Sequence, residues 1–147
     1  MQHAHQVARG ILIGTGGGIG IDDSIIPEHF ACPSIDLIGV HTYDGVGSWQ
    51  GRLGGIVSTA RASGKRVIFE EFGADGKQAS KSQKLGEQLA AVQRAGLPWA
   101  VWQVMKPNQW REFETFVEDG AAWAVLSDYA RQAWAGGGAF SWPEMPR

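Results

Sequence analysis

Lys65-Arg66-Val67-Ile68-Phe69-Glu70-Glu71-Phe72-Gly73 is the stretch that decides how this chain folds. Val67, Ile68 and Phe69 favour extended chain, and Gly73 stops it. Two acids at the end of a buried strand are costly unless partners or chemistry keep them there. The plainer alternative is a solvated strand end beside a helix start. Side chains alternate along a strand, so Glu70 and Glu71 are expected on opposite faces, with only one reaching the interior of the rim. Val67, Phe69 and Glu71 share one side; Ile68 and Glu70 share the other. The sequence barely separates these sets, and the remaining glutamate is expected to bind backbone amides or a nearby basic group.

Outward from this stretch, three further apolar runs read as strands, at residues 10–14, 35–40 and 99–104, with 66–71 third in order. Helix-like segments separate them. In 50–63, Leu53, Ile56, Val57 and Ala60 fall on one helical face, and Gly64 is placed to cap the end. In 79–95, Leu85, Leu89 and Val92 form a similar stripe, stopped by Gly96 and Pro98. In 120–134, Trp123, Leu126, Ala130 and Trp134 repeat it, while 22–30 is a short helical segment. Residues 1–9 and 136–147 read as irregular ends, and the rest as one domain. Strand–helix alternation requires crossovers and therefore parallel strands. Lack of polar alternation suits a sheet buried on both faces.

The 147 residues suffice for one domain with a core. A hydrophobic share of 44% and a charged share of 19% belong to a globular protein. The net charge of −2 gives no reason to expect a nucleic-acid or membrane partner. Cys32 is the sole cysteine, so neither an intrachain disulfide nor a cysteine-built metal site is expected. His3, His5, His29 and His41 lack zinc-ligand spacing, and no metal or cofactor is implied. No apolar run approaches a membrane span, and the first residues lack signal-peptide anatomy, so the compartment is not legible. Seven tryptophans are many for this length.

In parallel α/β folds, ligands bind at the C-terminal ends of the strands. The chemistry-bearing residues gather there: His41 and Tyr43 after the second strand, Glu70 and Glu71 after the third, Trp102 and Gln103 after the fourth. His41 and Tyr43 are two residues apart and face the same way. A phenol can donate to a carboxylate on the next strand, and an imidazole can bind a ligand hydroxyl or orient the phenol. Trp102 can stack on the C–H face of a sugar. Trp49 and Trp110 are expected in loops on the same rim, and Trp123 and Trp134 in packing. Gly14-Thr15-Gly16-Gly17-Gly18-Ile19-Gly20 follows a strand as a dinucleotide loop would, yet no three of its glycines fit G-x-G-x-x-G. It resembles the short-chain dehydrogenase loop only with two residues missing. That family's Tyr-x-x-x-Lys pair is also absent, since Tyr43 is followed by Gly47 and Tyr129 by Ala133.

The ordered set Ile35-Asp36-Leu37-Ile38-Gly39-Val40-His41-Thr42-Tyr43, Lys65 to Gly73, and Trp99-Ala100-Val101-Trp102-Gln103 resembles the second half of a glycoside hydrolase family 5 enzyme, a family of cellulases and β-mannanases on a TIM barrel. The likeness runs from about residue 10 to 134. It implies that the fold is half of a (β/α)8 barrel, strands five to eight. It also implies that the chain is a retaining β-glycosidase fragment acting on a β-linked glucan or mannan, with Glu71 as nucleophile. By the same resemblance, His41 and Tyr43 shape the cleavage subsite and support Glu71, Trp102 is a sugar platform and Gln103 a substrate contact. Glu70, Trp49 and Trp110 are secondary candidates. Members of the family are usually extracellular.

The departure from the pattern is as informative. Retaining glycosidases need two carboxyl groups about 5 Å apart. The family's acid sits in an Asn-Glu pair ending the fourth strand, whereas here the only asparagine, Asn108, is followed by Gln109. A full barrel takes about 250 residues. The isolated chain is therefore expected to be weakly active or inactive on polysaccharide, and to self-associate or pair with a missing N-terminal half. The competing expectations are a sugar-binding half-barrel that breaks no bond and a dehydrogenase-like oxidoreductase.

Overall fold

The structure, a computed structural model, describes residues 11–75, 80–106, 113–135 and 138–143. Two strands form its centre, β1 (Leu37–His41) and β2 (Arg66–Glu71). They pair in parallel, with Leu37 opposite Arg66 and Val40 opposite Phe69. Between them the chain crosses over through α3 (Val46–Trp49), a 3-10 turn (Gln50–Arg52) and α4 (Leu53–Ala62). Two short helices, α1 (Ile21–Ser24) and α2 (Pro27–Ala31), precede β1. After β2 come α5 (Lys81–Arg94) and α6 (Gly120–Ala135), which pack on each other.

The first and fourth runs expected as strands do not form full strands. Each joins the sheet through a single parallel bridge, Gly14 to Leu37 on one side and Phe69 to Trp99 on the other. The backbone bonds around them continue the parallel pattern. Leu37 N donates to Ile13 O at 3.1 Å and Thr15 N to Leu37 O at 3.0 Å; Phe69 N donates to Pro98 O at 2.9 Å and Ala100 N to Phe69 O at 3.0 Å. The four segments thus lie in sequence order, all in one direction. Among the described residues the first pairs on one side only, and the fourth meets Phe69 on one side and, at Val104, Thr115 on the other through single bridges, so few ladder bonds hold either extended.

The helical stripes pack as their periodicity requires. Leu53, Ile56, Val57 and Ala60 of α4 are buried, as are Leu85, Leu89 and Val92 of α5. They cover Ile38, Val40, Val67 and Phe69, the alternate residues on the helix side of the sheet. Gly64 and Gly96 end the two helices with φ of 66° and 67°, the left-handed cap that glycine adopts freely. The stripe of α6 is rotated from its expected phase. Ala122 and Leu126 are buried and Val125 and Tyr129 pack against the core, whereas Trp123 is only half-buried and Ala130 is exposed. A bulky indole sits more easily at the margin of a helix–helix contact than in its centre, where small residues let the helices approach. The expected packing of the Trp134 side chain lies outside the described residues.

Two buried lysines tie elements together. The Lys65 ammonium donates to Cys32 O at 2.7 Å and Ile35 O at 2.5 Å, fixing the end of α2 to the approach to β1. The Lys81 ammonium donates to Glu114 O and to the Asp119 carboxylate, and lies 5.8 Å from the Phe116 ring centre. That clasp holds the 113–119 segment against the start of α5, which carries Phe113 to the sheet rim. Among the described residues, no helix is long and apolar enough to cross a membrane.

Candidate active site

The irregularity that builds the site lies at the carboxyl end of the sheet. The β1–β2 register shifts between Val40 and His41, so that His41 pairs with Glu71 and Glu70 is the extra residue. A bulge of this kind re-aims the side chains that follow it. Without it, Glu71 would share the helix-facing side of Val67 and Phe69. With it, both carboxylates reach one imidazole. Glu70 Oε1 is 3.1 Å from His41 Nε2, and Glu71 Oε2 is 3.6 Å from His41 Nδ1. This corrects the expectation that only one of the two glutamates could enter the rim, since strict alternation fails at a bulge.

His41 and Tyr43 do face the same way, and Thr42 between them is completely buried. Thr42 N donates to Glu71 O at 3.0 Å, which locks the two strand ends together. The Tyr43 hydroxyl donates to Glu71 Oε1 at 2.6 Å. Burial chiefly, then the bond to Glu71 and the negative charges of Glu71 and Glu114, hold the phenol protonated far above its ordinary range. Phe113 backs the Tyr43 ring at 4.7 Å between centroids, tilted by 52°.

Gly73 must be a glycine for the fourth segment to pass. A Cβ there would lie 2.6 Å from Trp102 O, and Trp102 N donates to Phe72 O at 2.8 Å. Trp102 therefore reaches the same rim, with 44% of its surface exposed. Gln103 is half-buried beside it, and its backbone oxygen accepts from Thr115 N at 2.8 Å. A hollow of about 450 Å³ opens beside the group, lined among others by Tyr43, Asp44, Gly73, Gln88 and Phe113. Glu71 and His41 do not line it, so it flanks the carboxylate rather than covering it.

Trp49 is not a rim residue. It is completely buried, its ring 5.0 Å from that of Phe69, and its indole N–H donates to Asp44 O at 3.1 Å. The 45–49 segment coils into α3 rather than running as a loop, which turns the indole into the core. Trp110 lies outside the described residues.

Several contributors were not singled out from the sequence. Ser24 Oγ, completely buried, accepts from His41 N at 3.1 Å and Gly18 N at 3.0 Å and donates to Gly20 O at 2.8 Å. The glycine loop is thereby drawn onto the site. Gly17, with φ of 64°, passes so close to the His41 ring that a Cβ would lie 2.5 Å from it. Nothing in the local sequence marks Ser24 for this role. Gly39 did carry a signal: a glycine inside an apolar strand marks a close approach. A Cβ there would lie 2.1 Å from Glu70 Oε1. Among the described residues, no group of three or more His, Cys, Asp or Glu could hold a metal ion.

No protein-family model matches the chain, and no curated protein matches it. Solved structures do. The endo-1,4-β-mannanase of Rhizomucor miehei superposes with a TM-score of 0.68 at 19% identity, over 92% of this chain and 44% of that one. The hyperthermostable endo-1,4-β-D-mannanase of Thermotoga petrophila RKU-1, solved with maltose and glycerol, gives 0.65 at 13% identity, over 89% of this chain and 49% of that one. An endo-β-1,4-mannanase structure from Thermotoga petrophila gives 0.56 at 15% identity, over 71% and 27%. At these identities the likeness establishes the fold: parallel α/β, like part of a TIM-barrel mannanase. The chain spans less than half the length of these proteins.

Proposed function

We propose that this chain is the second half of a (β/α)8 glycosidase barrel, its four parallel segments being strands five to eight, and a single partial catalytic domain. Glu71 is the nucleophile of a retaining mechanism on a β-linked polysaccharide, with β-mannan the first candidate because the similar structures are mannanases. The observation that carries this reading is the 2.6 Å bond from the Tyr43 hydroxyl to Glu71, with the other carboxylate oxygen 3.6 Å from the His41 ring and not hydrogen-bonded to it. A protonated phenol holds one oxygen and leaves the other to attack the anomeric carbon. The result is a glycosyl-enzyme, later opened by water. Trp102 offers its exposed ring to a sugar face, and Gln103 a polar side chain next to it.

The 147 residues contain no Asn-Glu pair to supply the acid. General acid help is worth roughly 10²–10⁴-fold, so the chain alone should turn over polysaccharide very slowly. The carboxylic acid that protonates the leaving sugar then comes from a further strand outside these residues. Among the described residues the first segment pairs on one side only and the fourth is flanked only by a single bridge from Val104 to Thr115, while Ile11 and Val104 are 62% and 53% exposed. Such edges favour self-association or pairing with an N-terminal half. Sedimentation that returned a stable monomer would remove this part of the reading.

An activated fluoro-glycoside tests the nucleophile, because its leaving group departs without acid help. The expected outcome is a covalent adduct on the peptide holding Glu71, seen by mass spectrometry. Binding with no adduct would instead favour a non-catalytic sugar-binding half-barrel, the reading that the exposed Trp102 ring alone would support.

A further inference from the structure

We propose that Glu70 is a positioning residue for Glu71, acting through the His41 imidazole that the two carboxylates share. The inference rests on the glycosidase reading for what Glu71 does, but on local geometry for how Glu71 is held. Glu70 is the residue that the register shift expels from the strand ladder. An expelled acid with no task would turn to solvent. This one instead points its Oε1 to His41 Nε2 at 3.1 Å. Room for it exists only because residue 39 has no Cβ, which would lie 2.1 Å from that oxygen. At the same end of the imidazole, Gly17 lets the backbone approach so closely that a Cβ would overlap Cδ2 and Nε2 at 2.5 Å. The backbone N–H of His41 is fixed on the buried Ser24 hydroxyl. The ring is thus held by a carboxylate, a glycine loop and a backbone anchor.

What the ring does follows from its two nitrogens. The Glu70 carboxylate at Nε2 fixes the ring plane. That plane sets the Nδ1 edge of the ring 3.6 Å from Glu71 Oε2, beyond hydrogen-bond reach, while Tyr43 holds Oε1 at 2.6 Å. Removing Glu70 frees the ring to rotate and takes away the wall beside Glu71 Oε2, while the Tyr43 bond to Oε1 remains. Errors of this size in the placement of an attacking atom are expensive, because attack requires near-contact geometry.

The test compares wild type, Glu70→Gln and Glu70→Ala, each checked for folding by circular dichroism. Two readouts are taken. The first is the rate at which an activated 2-fluoro-mannoside labels Glu71, as a function of probe concentration. Glu70→Ala should lower the maximal labelling rate at least tenfold with little change in half-saturating concentration, and Glu70→Gln, which keeps an acceptor, should recover part of it. The second uses no sugar: the nitrogen resonances of the His41 ring and the carboxyl carbon resonance of Glu71. Both should move in Glu70→Ala and less in Glu70→Gln. Unchanged resonances at His41 and Glu71 in both variants would overturn the proposal, as would labelling at the wild-type rate. A wild type that is not labelled at all would sink the glycosidase reading, while the resonances would still decide whether Glu70 positions Glu71.

Discussion

The β1–β2 centre and the outer segments on either side of it have similar apolar sequences and quite different structures. In the centre, Ile38, Val40, Val67 and Phe69 are completely buried and a continuous ladder joins the strands. In the fourth segment and the stretch that follows, Trp102, Val104 and Val117 are 44%, 53% and 61% exposed, and single bridges take the place of a ladder. The difference shows that an apolar run becomes a strand when a run of successive pairs joins it to a neighbour and helices cover it. Composition supplies the tendency, and neighbours decide the outcome. The candidate nucleophile belongs to the laddered, buried centre, whereas the proposed sugar platform belongs to the half-exposed margin. A mutation in the centre should therefore cost stability first, and one at the margin should cost binding first.

Phe69→Ala gives the largest expected effect. The ring is completely buried between Trp49 at 5.0 Å and Phe72 at 5.3 Å, and its removal should cost about 3–5 kcal/mol in urea unfolding. A loss under 1 kcal/mol would mean that the centre is no better packed than the edge.

Tyr43→Phe sits where the two regions meet and should act less on stability, by about 1 kcal/mol at neutral pH. Its sharper signature is alkaline. An unfolded tyrosine ionises near pH 10. Folded Tyr43 keeps its proton above that, chiefly because it is buried. Above pH 10 the unfolded chain therefore sheds a proton that the folded chain retains. Stability contributed by this group is complete below pH 10 and declines as pH rises toward the elevated native value. Urea midpoints between pH 9 and 11 should fall more steeply in wild type than in Tyr43→Phe. Parallel slopes would show that the phenol is neither buried nor held by Glu71.

Trp102→Ala should have the smallest effect on folding, within about 0.5 kcal/mol. Its consequence should appear in sugar binding, with mannooligosaccharide affinity measured by calorimetry reduced at least tenfold. A large loss of stability would place Trp102 in the core and erase the contrast between centre and margin.

Much of this was legible residue by residue. The stripes of α4 and α5 were readable because a helix that covers a sheet must repeat its apolar residues every three or four positions. The shared direction of His41 and Tyr43 followed from the period of a strand. The burial of Trp49 is not legible locally, because an indole in a glycine-containing stretch has the pattern of a loop residue until the segment coils inward. The phase of α6 is not legible from hydrophobicity alone, because the bulk of Trp123 keeps it at the margin while Ala122 and Leu126 are buried.

The sequence by itself determined the order of parallel segments, the helical faces that bury them, and the gathering of His41, Tyr43, Glu71 and Trp102 at one end of the sheet. These follow from periodicity and from the direction of the chain, which are local properties. Only the tertiary structure decided that Glu70 and Glu71 share a face. That outcome depends on a one-residue slip against a strand 30 positions away. Glycines at 17 and 39 leave room for the His41 ring and the Glu70 carboxylate beside it, and their missing side chains matter only once distant parts of the chain have been brought into contact.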